Sequence, residues 1–153
     1  MKNYFLLFIV TGLFFTSCSS GNRKEPLPAN PVQPKEEVPF MAVSDSGIVH
    51  MPLNDGYGKV RLRKNPNQVI YVVFDSPGYH TLTGYVTSAD STANLRFVQI
   101  FLPDGEMDGP FGREIDYILP SDGRYKLSVG ENMMAGDPWG GDFMVEIFLS
   151  ENL

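Results

Sequence analysis

Glu114-Ile115-Asp116-Tyr117-Ile118-Leu119-Pro120-Ser121-Asp122-Gly123-Arg124-Tyr125-Lys126-Leu127-Ser128-Val129 decides the fold of this 153-residue chain. Before the turn, Ile115, Tyr117 and Leu119 alternate with Glu114, Asp116 and Ile118. After it, Tyr125, Leu127 and Val129 alternate with Arg124, Lys126 and Ser128. Period two on both sides marks strands with one buried face. Asp122-Gly123 supplies the chemistry of a tight turn, with Gly123 free to take a positive φ. The stretch therefore predicts two strands joined as a hairpin. Its polar tip, Ser121 to Tyr125, is a candidate contact for a partner. The same alternation points Tyr125 inward, so a core aromatic at the start of a strand is the competing reading.

Outward from this centre the chain shows only strand signals. Gly47 to Met51 is a weak strand candidate, and Lys59 to Arg63 alternates cleanly. Gln68 to Phe74 is an apolar run that fits a strand covered on both faces. Tyr79 to Thr87 is rich in Thr, Tyr and Val, which suit a pleated surface. Leu95 to Leu102 is strongly apolar and closes at Pro103-Asp104-Gly105. Asp142 to Leu149 ends the domain with Phe143, Val145, Ile147 and Leu149 on one face. No stretch shows a helical period with caps. The expected fold is all-β: a single antiparallel β-sandwich of jelly-roll or Greek-key type, about 7–8 strands, over residues 40–153.

Residues 1–17 read as a lipoprotein signal peptide. Lys2 is followed by an apolar run from Tyr4 to Phe15, too short to span a bilayer comfortably as a helix. The run ends in Phe15-Thr16-Ser17-Cys18, which resembles the bacterial lipobox, and Cys18 is the chain's only cysteine. An intrachain disulfide is thereby excluded. The resemblance implies lipidation of Cys18 and attachment to a bacterial membrane, on the periplasmic or surface face. Residues 18–39 then form a tether, with Pro26, Pro28, Pro31, Pro34 and Pro39 among polar residues. Such a segment buries too little apolar surface to offset its ordering entropy. Extended, it reaches about 60 Å.

The formal net charge is −6. An acidic domain repels phosphate backbones, so nucleic acid is not expected as a partner, whereas a basic partner is steered toward it. His50 and His80 lack the motif partners that catalysis needs, and no phosphate-cradling glycine loop is present. The chain is read as a non-enzyme with no cofactor.

Tyr117 to Val129 is similar to a segment shared by the pre-peptidase C-terminal domain and the periplasmic inhibitors of goose-type and invertebrate-type lysozyme. The likeness continues through Asn132-Met133-Met134-Ala135 to Phe143-Met144-Val145-Glu146-Ile147. Upstream, Gln99 to Gly105 fits the strand and turn that precede this segment in those families. The resemblance implies a β-sandwich, and for the inhibitors it implies a turn inserted into a lysozyme cleft. Their turn reads Ser-Gly-x-Tyr, and here the aligned residues are Asp122, Gly123, Arg124 and Tyr125. Asp in place of Ser matters, because a hydroxyl can donate to a catalytic carboxylate and an ionised Asp can only accept. Ser121, one residue earlier, can supply a hydroxyl if the turn is shifted.

Two further loops are candidates. Gly130 to Gly141 carries Met133, Met134 and the sole tryptophan, Trp139, as a contact patch for a protein or a stacking surface for carbohydrate. The alternative is that these residues fold back onto the sandwich. Asp104, Glu106 and Asp108 place three carboxylates at alternate positions, as calcium sites do, but without the length of an EF-hand loop. Solvated turn acids are the competing account. The favoured reading is a lipid-anchored envelope protein that blocks a basic lysozyme. The alternatives are a surface module binding carbohydrate or protein, and a purely structural envelope lipoprotein.

Overall fold

A computed structural model describes residues 37–151. The predicted signal segment 1–17, Cys18 and the tether as far as residue 36 lie outside the described residues. Among the described residues there are nine strands and no helix. They are β1 (Ile48–His50), β2 (Tyr57–Lys64), β3 (Ile70–Ser76), β4 (Thr81–Thr87), β5 (Leu95–Phe101), β6 (Met107–Asp108), β7 (Glu114–Ile118), β8 (Gly123–Glu131) and β9 (Gly141–Ser150). One sheet has the order β1-β3-β8-β5-β6 and the other β2-β9-β4-β7. All pairings are antiparallel except β1 with β3. The all-β sandwich expected from the sequence forms. The weak candidate Gly47 to Met51 forms β1, and the strand not anticipated is β6, whose two residues are too few to show an alternation.

The core lies between the sheets. Val60, Leu62, Leu82, Val86, Ile115, Phe143, Val145 and Ile147 face inward from one layer. Ile70, Val72, Phe74, Leu95, Phe97, Ile100, Tyr125, Leu127 and Val129 face them from the other. The sets follow the period of two, since successive strand side chains point to opposite faces, except in β5, where a bulge between Phe97 and Gln99 moves the next inward residue to Ile100.

The central stretch departs from its expected pairing. β7 pairs with β4, whereas β8 lies between β3 and β5. The segment is therefore a crossover between layers and not a hairpin. Alternation identifies which face of a strand is buried, and it carries no information on which strand pairs with which. Leu119 and Tyr125 are both buried at the two feet of an arch that carries the chain from one sheet to the other. Among the described residues, the connection that stays within one sheet is the turn between β5 and β6. There Gly105 takes φ 93° and its N–H donates to Leu102 O at 3.1 Å, as Pro103-Asp104-Gly105 led one to expect.

A buried ion pair joins the layers. Lys64 Nζ lies 2.6 Å from Glu131 Oε1, with side-chain exposures of 0% and 4%. Lys64 Nζ also donates to Asn65 O at 2.8 Å and Trp139 O at 2.7 Å. Glu131 Oε1 also accepts the N–H of Asn67 at 2.9 Å and of Trp139 at 3.2 Å. Buried charges persist when they are paired and their remaining donors and acceptors are met, and this network meets both conditions.

Candidate functional site: the arch between the sheets

The arch runs from Leu119 to Gly123 at one end of the sandwich. Its entry is fixed by the N–H of Leu119 donating to His80 O at 2.8 Å. Its exit is fixed by Tyr125, whose ring is fully buried and stacks on Phe74 with centroids 5.8 Å apart and planes at 15°. The Tyr125 hydroxyl donates to Ser121 O at 2.5 Å and accepts the Ser121 N–H at 3.4 Å. This is a tyrosine corner: a tyrosine at the start of a strand holds the backbone four residues upstream. Tyr125 is thus a core aromatic that braces the turn from below, and its side chain is not a direct partner contact.

The other turn residues are exposed or partly so, and each is held. Asp122 Oδ1 accepts the N–H of Gly78 at 3.0 Å, stapling the arch to the β3–β4 turn. Arg124 Nε and Nη2 reach the Asp75 carboxylate at 2.9 and 3.3 Å across the β3–β8 register. The guanidinium holds the Asp75 carboxyl below its ordinary value by hydrogen bond and charge, against a smaller effect of burial. Gly123 has φ 145°, and a Cβ there would lie 2.8 Å from Cβ and Cγ of Pro103. Gly123 is therefore required twice, by backbone conformation and by the close approach of the β5–β6 turn. Ser121 is exposed and its hydroxyl is free of any bond to the described residues.

The approach of Gly123 to Pro103 brings Asp104, Glu106 and Asp122 to the same end of the molecule, where β7 also ends in Ile118, 67% exposed. The result is a rigid tip with an acidic rim and an apolar shoulder. It offers no nucleophile with a base, and His80 next to it is exposed without a catalytic partner. Its exposed side chains are acidic and polar, and a surface of that charge complements a basic one.

The calcium alternative finds no geometry to support it. Asp104 Oδ1 caps the N–H of Glu106 at 3.0 Å, and Asp108 Oδ1 caps that of Gly109 at 2.7 Å. Among the described residues no three acidic, histidine or cysteine side chains converge as a metal site.

The second candidate loop divides. Met133 and Met134 are exposed, Met134 at 98%, in a turn closed by the Ala135 N–H donating to Asn132 O at 2.8 Å. Trp139 is 9% exposed and belongs to the core. Its indole N–H donates to Asp90 Oδ2 at 2.8 Å, and that bond is the main reason the Asp90 carboxyl sits below its ordinary value. The expectation that Trp139 stacks on a sugar is corrected: the residue is buried in the core, with its indole N–H taken by Asp90 and its backbone bound into the Lys64–Glu131 network. β8 separates this loop from the arch by roughly 26 Å, from eight steps of strand rise. The two candidates therefore cannot form one patch.

Sequence reading missed the Lys64–Glu131 pair, although a signal existed. Lys64 shares the inward parity of Val60 and Leu62, and Glu131 that of Leu127 and Val129.

No family model matches this chain, and no curated protein does. Solved structures do. Aeromonas hydrophila PliG, a periplasmic lysozyme inhibitor of g-type lysozyme, superposes with TM-score 0.51 at 14% identity, covering 67% of this chain and 97% of its own. Salmonella Typhimurium PliG gives TM-score 0.46 at 12% identity, covering 67% and 97%. A PliG mutant from Escherichia coli gives 0.44 at 11%, covering 74% and 100%. At this identity the Aeromonas protein shares a fold with this chain, and a fold by itself hosts different roles.

Proposed function

We propose that this protein is a lipid-anchored inhibitor of a basic lysozyme in the bacterial cell envelope, and that the arch is its reactive element. The observation that carries the reading is the braced tip at Ser121 to Arg124, standing at the acidic end of the sandwich. Two lines support it. The sequence from Tyr117 to Val129 resembles the turn of the goose-type and invertebrate-type lysozyme inhibitors. The sandwich shares its fold with Aeromonas hydrophila PliG, itself a periplasmic inhibitor of g-type lysozyme.

On this reading each turn residue has its own role. Asp122 does not enter the cleft as a free carboxylate, since the N–H of Gly78 already holds it. Its charge stays at the side of the crest, as part of the acidic rim. The hydroxyl offered to the lysozyme is that of Ser121, at the crest. Tyr125 positions the crest from inside the core. A pre-ordered tip binds without the entropy of ordering a loop, and the acidic rim draws a basic lysozyme in at a salt-dependent rate.

The test is an inhibition panel against goose-type and invertebrate-type lysozymes. Inhibition at nanomolar to micromolar protein is expected, weakened at least tenfold by Ser121→Arg, which adds bulk and charge at an exposed site without touching the core. Absence of inhibition by the parent protein at micromolar concentration overturns the reading. For the anchor, Cys18→Ser is expected to release unlipidated protein from membranes. An unchanged mass and distribution would remove that part of the proposal.

A further inference from the structure

At the end opposite the arch, a cleft of about 260 Å³ has Asn94, Arg96, Phe111, Arg113 and Asn132 among its lining residues. Its charged residues are both cationic, in a chain whose net charge is −6. Elsewhere the basic side chains are answered. Lys59, Arg61, Arg63, Lys64 and Arg124 each pair with a carboxylate, and Lys126 lies over the rings of Tyr71 and Phe101. Among the described residues, Arg96 and Arg113 are the two cations left with neither an acid nor a ring, and the chain brings them to one cleft.

Arg96 carries a second mark. Its Nε is buried and has no hydrogen-bond acceptor among the described residues. Buried polar atoms are nearly always satisfied, and one that is not calls for a missing partner. Arg113 is fixed in place by an Nη2 bond to Ala93 O, which leaves its other donors free. The cleft wall adds amides: Asn94 Nδ2 donates to Asn132 O at 2.9 Å, which fixes the Asn94 side chain beside the two arginines. Two guanidinium forks beside ordered amides, with no carboxylate among the lining residues, make a cleft whose only formal charges are positive.

We infer that this cleft binds a compact oxyanion, a carboxylate or a phosphate group, gripped between Arg96 and Arg113. Guanidinium forks match such groups bidentately. An oxyanion on the Arg96 guanidinium neutralises two like charges held in one cleft. The volume admits a headgroup and not a drug-sized molecule. The site is independent of the lysozyme reading, because the arch lies at the other end of β8.

The full chain is titrated with inorganic phosphate, and separately with acetate, while amide NMR shifts are followed at constant ionic strength against sodium chloride. Saturable shifts are expected at Asn94 to Arg96, Gly112 to Arg113 and Asn132. Phosphate saturating well below acetate identifies a tetrahedral ligand, and comparable affinities identify a carboxylate. Arg96→Gln is expected to weaken binding at least tenfold, since one fork is lost. The Arg96 side chain has no hydrogen bond or ion pair within the described residues, so this variant removes none, and its backbone pairing with Gly130 is kept. Arg96→Lys, which keeps the charge and loses the fork, is expected to fall between the two. The inference is overturned if neither anion saturates, if chloride reproduces the shifts, or if Arg96→Gln binds as the parent does.

Discussion

Tyr125 shows how one residue can look like a contact and act as a brace. Its inward parity was readable from Leu127 and Val129, and a competing core role was read from that parity. Its hydroxyl partner was not readable, because a bond to Ser121 exists only if the chain doubles back over the ring. A neutral hydrogen bond of this kind contributes about 1 kcal/mol net, and its loss leaves the Ser121 carbonyl to water at the rim of the core. Tyr125→Phe keeps the ring on Phe74 and is expected to lower stability by about 1 kcal/mol, read as a shift of the urea midpoint at constant slope. If the arch is the inhibitory element, the same change weakens inhibition by more than it weakens stability, because a looser crest must be ordered on binding. Equal stability in Tyr125→Phe and parent would show that the corner does not brace the turn.

At the scale of the element, the strands were legible and their partners were not. Lys59 to Arg63 and Asp142 to Leu149 fall on strands whose buried faces match the alternation, and the apolar run from Leu95 forms β5, with a bulge between Phe97 and Gln99. Asp122-Gly123 read as a hairpin because Asp-Gly chemistry is local, whereas β7 and β8 find their partners, β4 and β3 with β5, far along the chain. What holds the arch is contact between loops that the sequence keeps apart. Gly123 meets Pro103 so closely that a methyl group would clash at 2.8 Å. Gly123→Ala is therefore expected to cost about 1–3 kcal/mol from overpacking and the positive φ together. Pro103→Ala on that background shortens the opposing side chain and is expected to recover part of the loss. A double-mutant cycle measures the recovery as a coupling energy. Strict additivity of the two changes would mean that the turns do not touch.

Across the whole molecule, the Lys64–Glu131 pair makes the stability of the sandwich depend on pH. β2 belongs to one sheet and β8 to the other, so the pair ties the layers at the end away from the arch. Burial alone would raise the Glu131 carboxyl pKa. The hydrogen bonds from Lys64 and the Asn67 N–H, with the charge of Lys64, outweigh it and hold the group below its ordinary 4.5. A carboxyl depressed in the folded state contributes stability that is present above the unfolded value and lost as pH falls through the folded value. Glu131→Gln keeps an acceptor for the N–H groups of Asn67 and Trp139 and removes only the charge. At neutral pH it leaves Lys64 buried without its counter-ion, at an expected cost of about 3 kcal/mol. Below the ordinary carboxylate range the parent protein loses the same charge, so the gap between the two proteins is expected to narrow with acid. Asp75, Asp90 and Asp142, which are also held low by their hydrogen-bond partners, titrate in both proteins and cancel in the difference. Replacing both charges by Met and Leu is not expected to be neutral, as it often is for isolated buried pairs. Here Glu131 also accepts two backbone N–H groups and Lys64 serves two carbonyls, and all four would be stranded. Urea unfolding followed by the fluorescence of Trp139, whose backbone sits inside the network, reads each of these differences directly. A gap between parent and Glu131→Gln that does not change with pH would show that the pair is not a charged bridge.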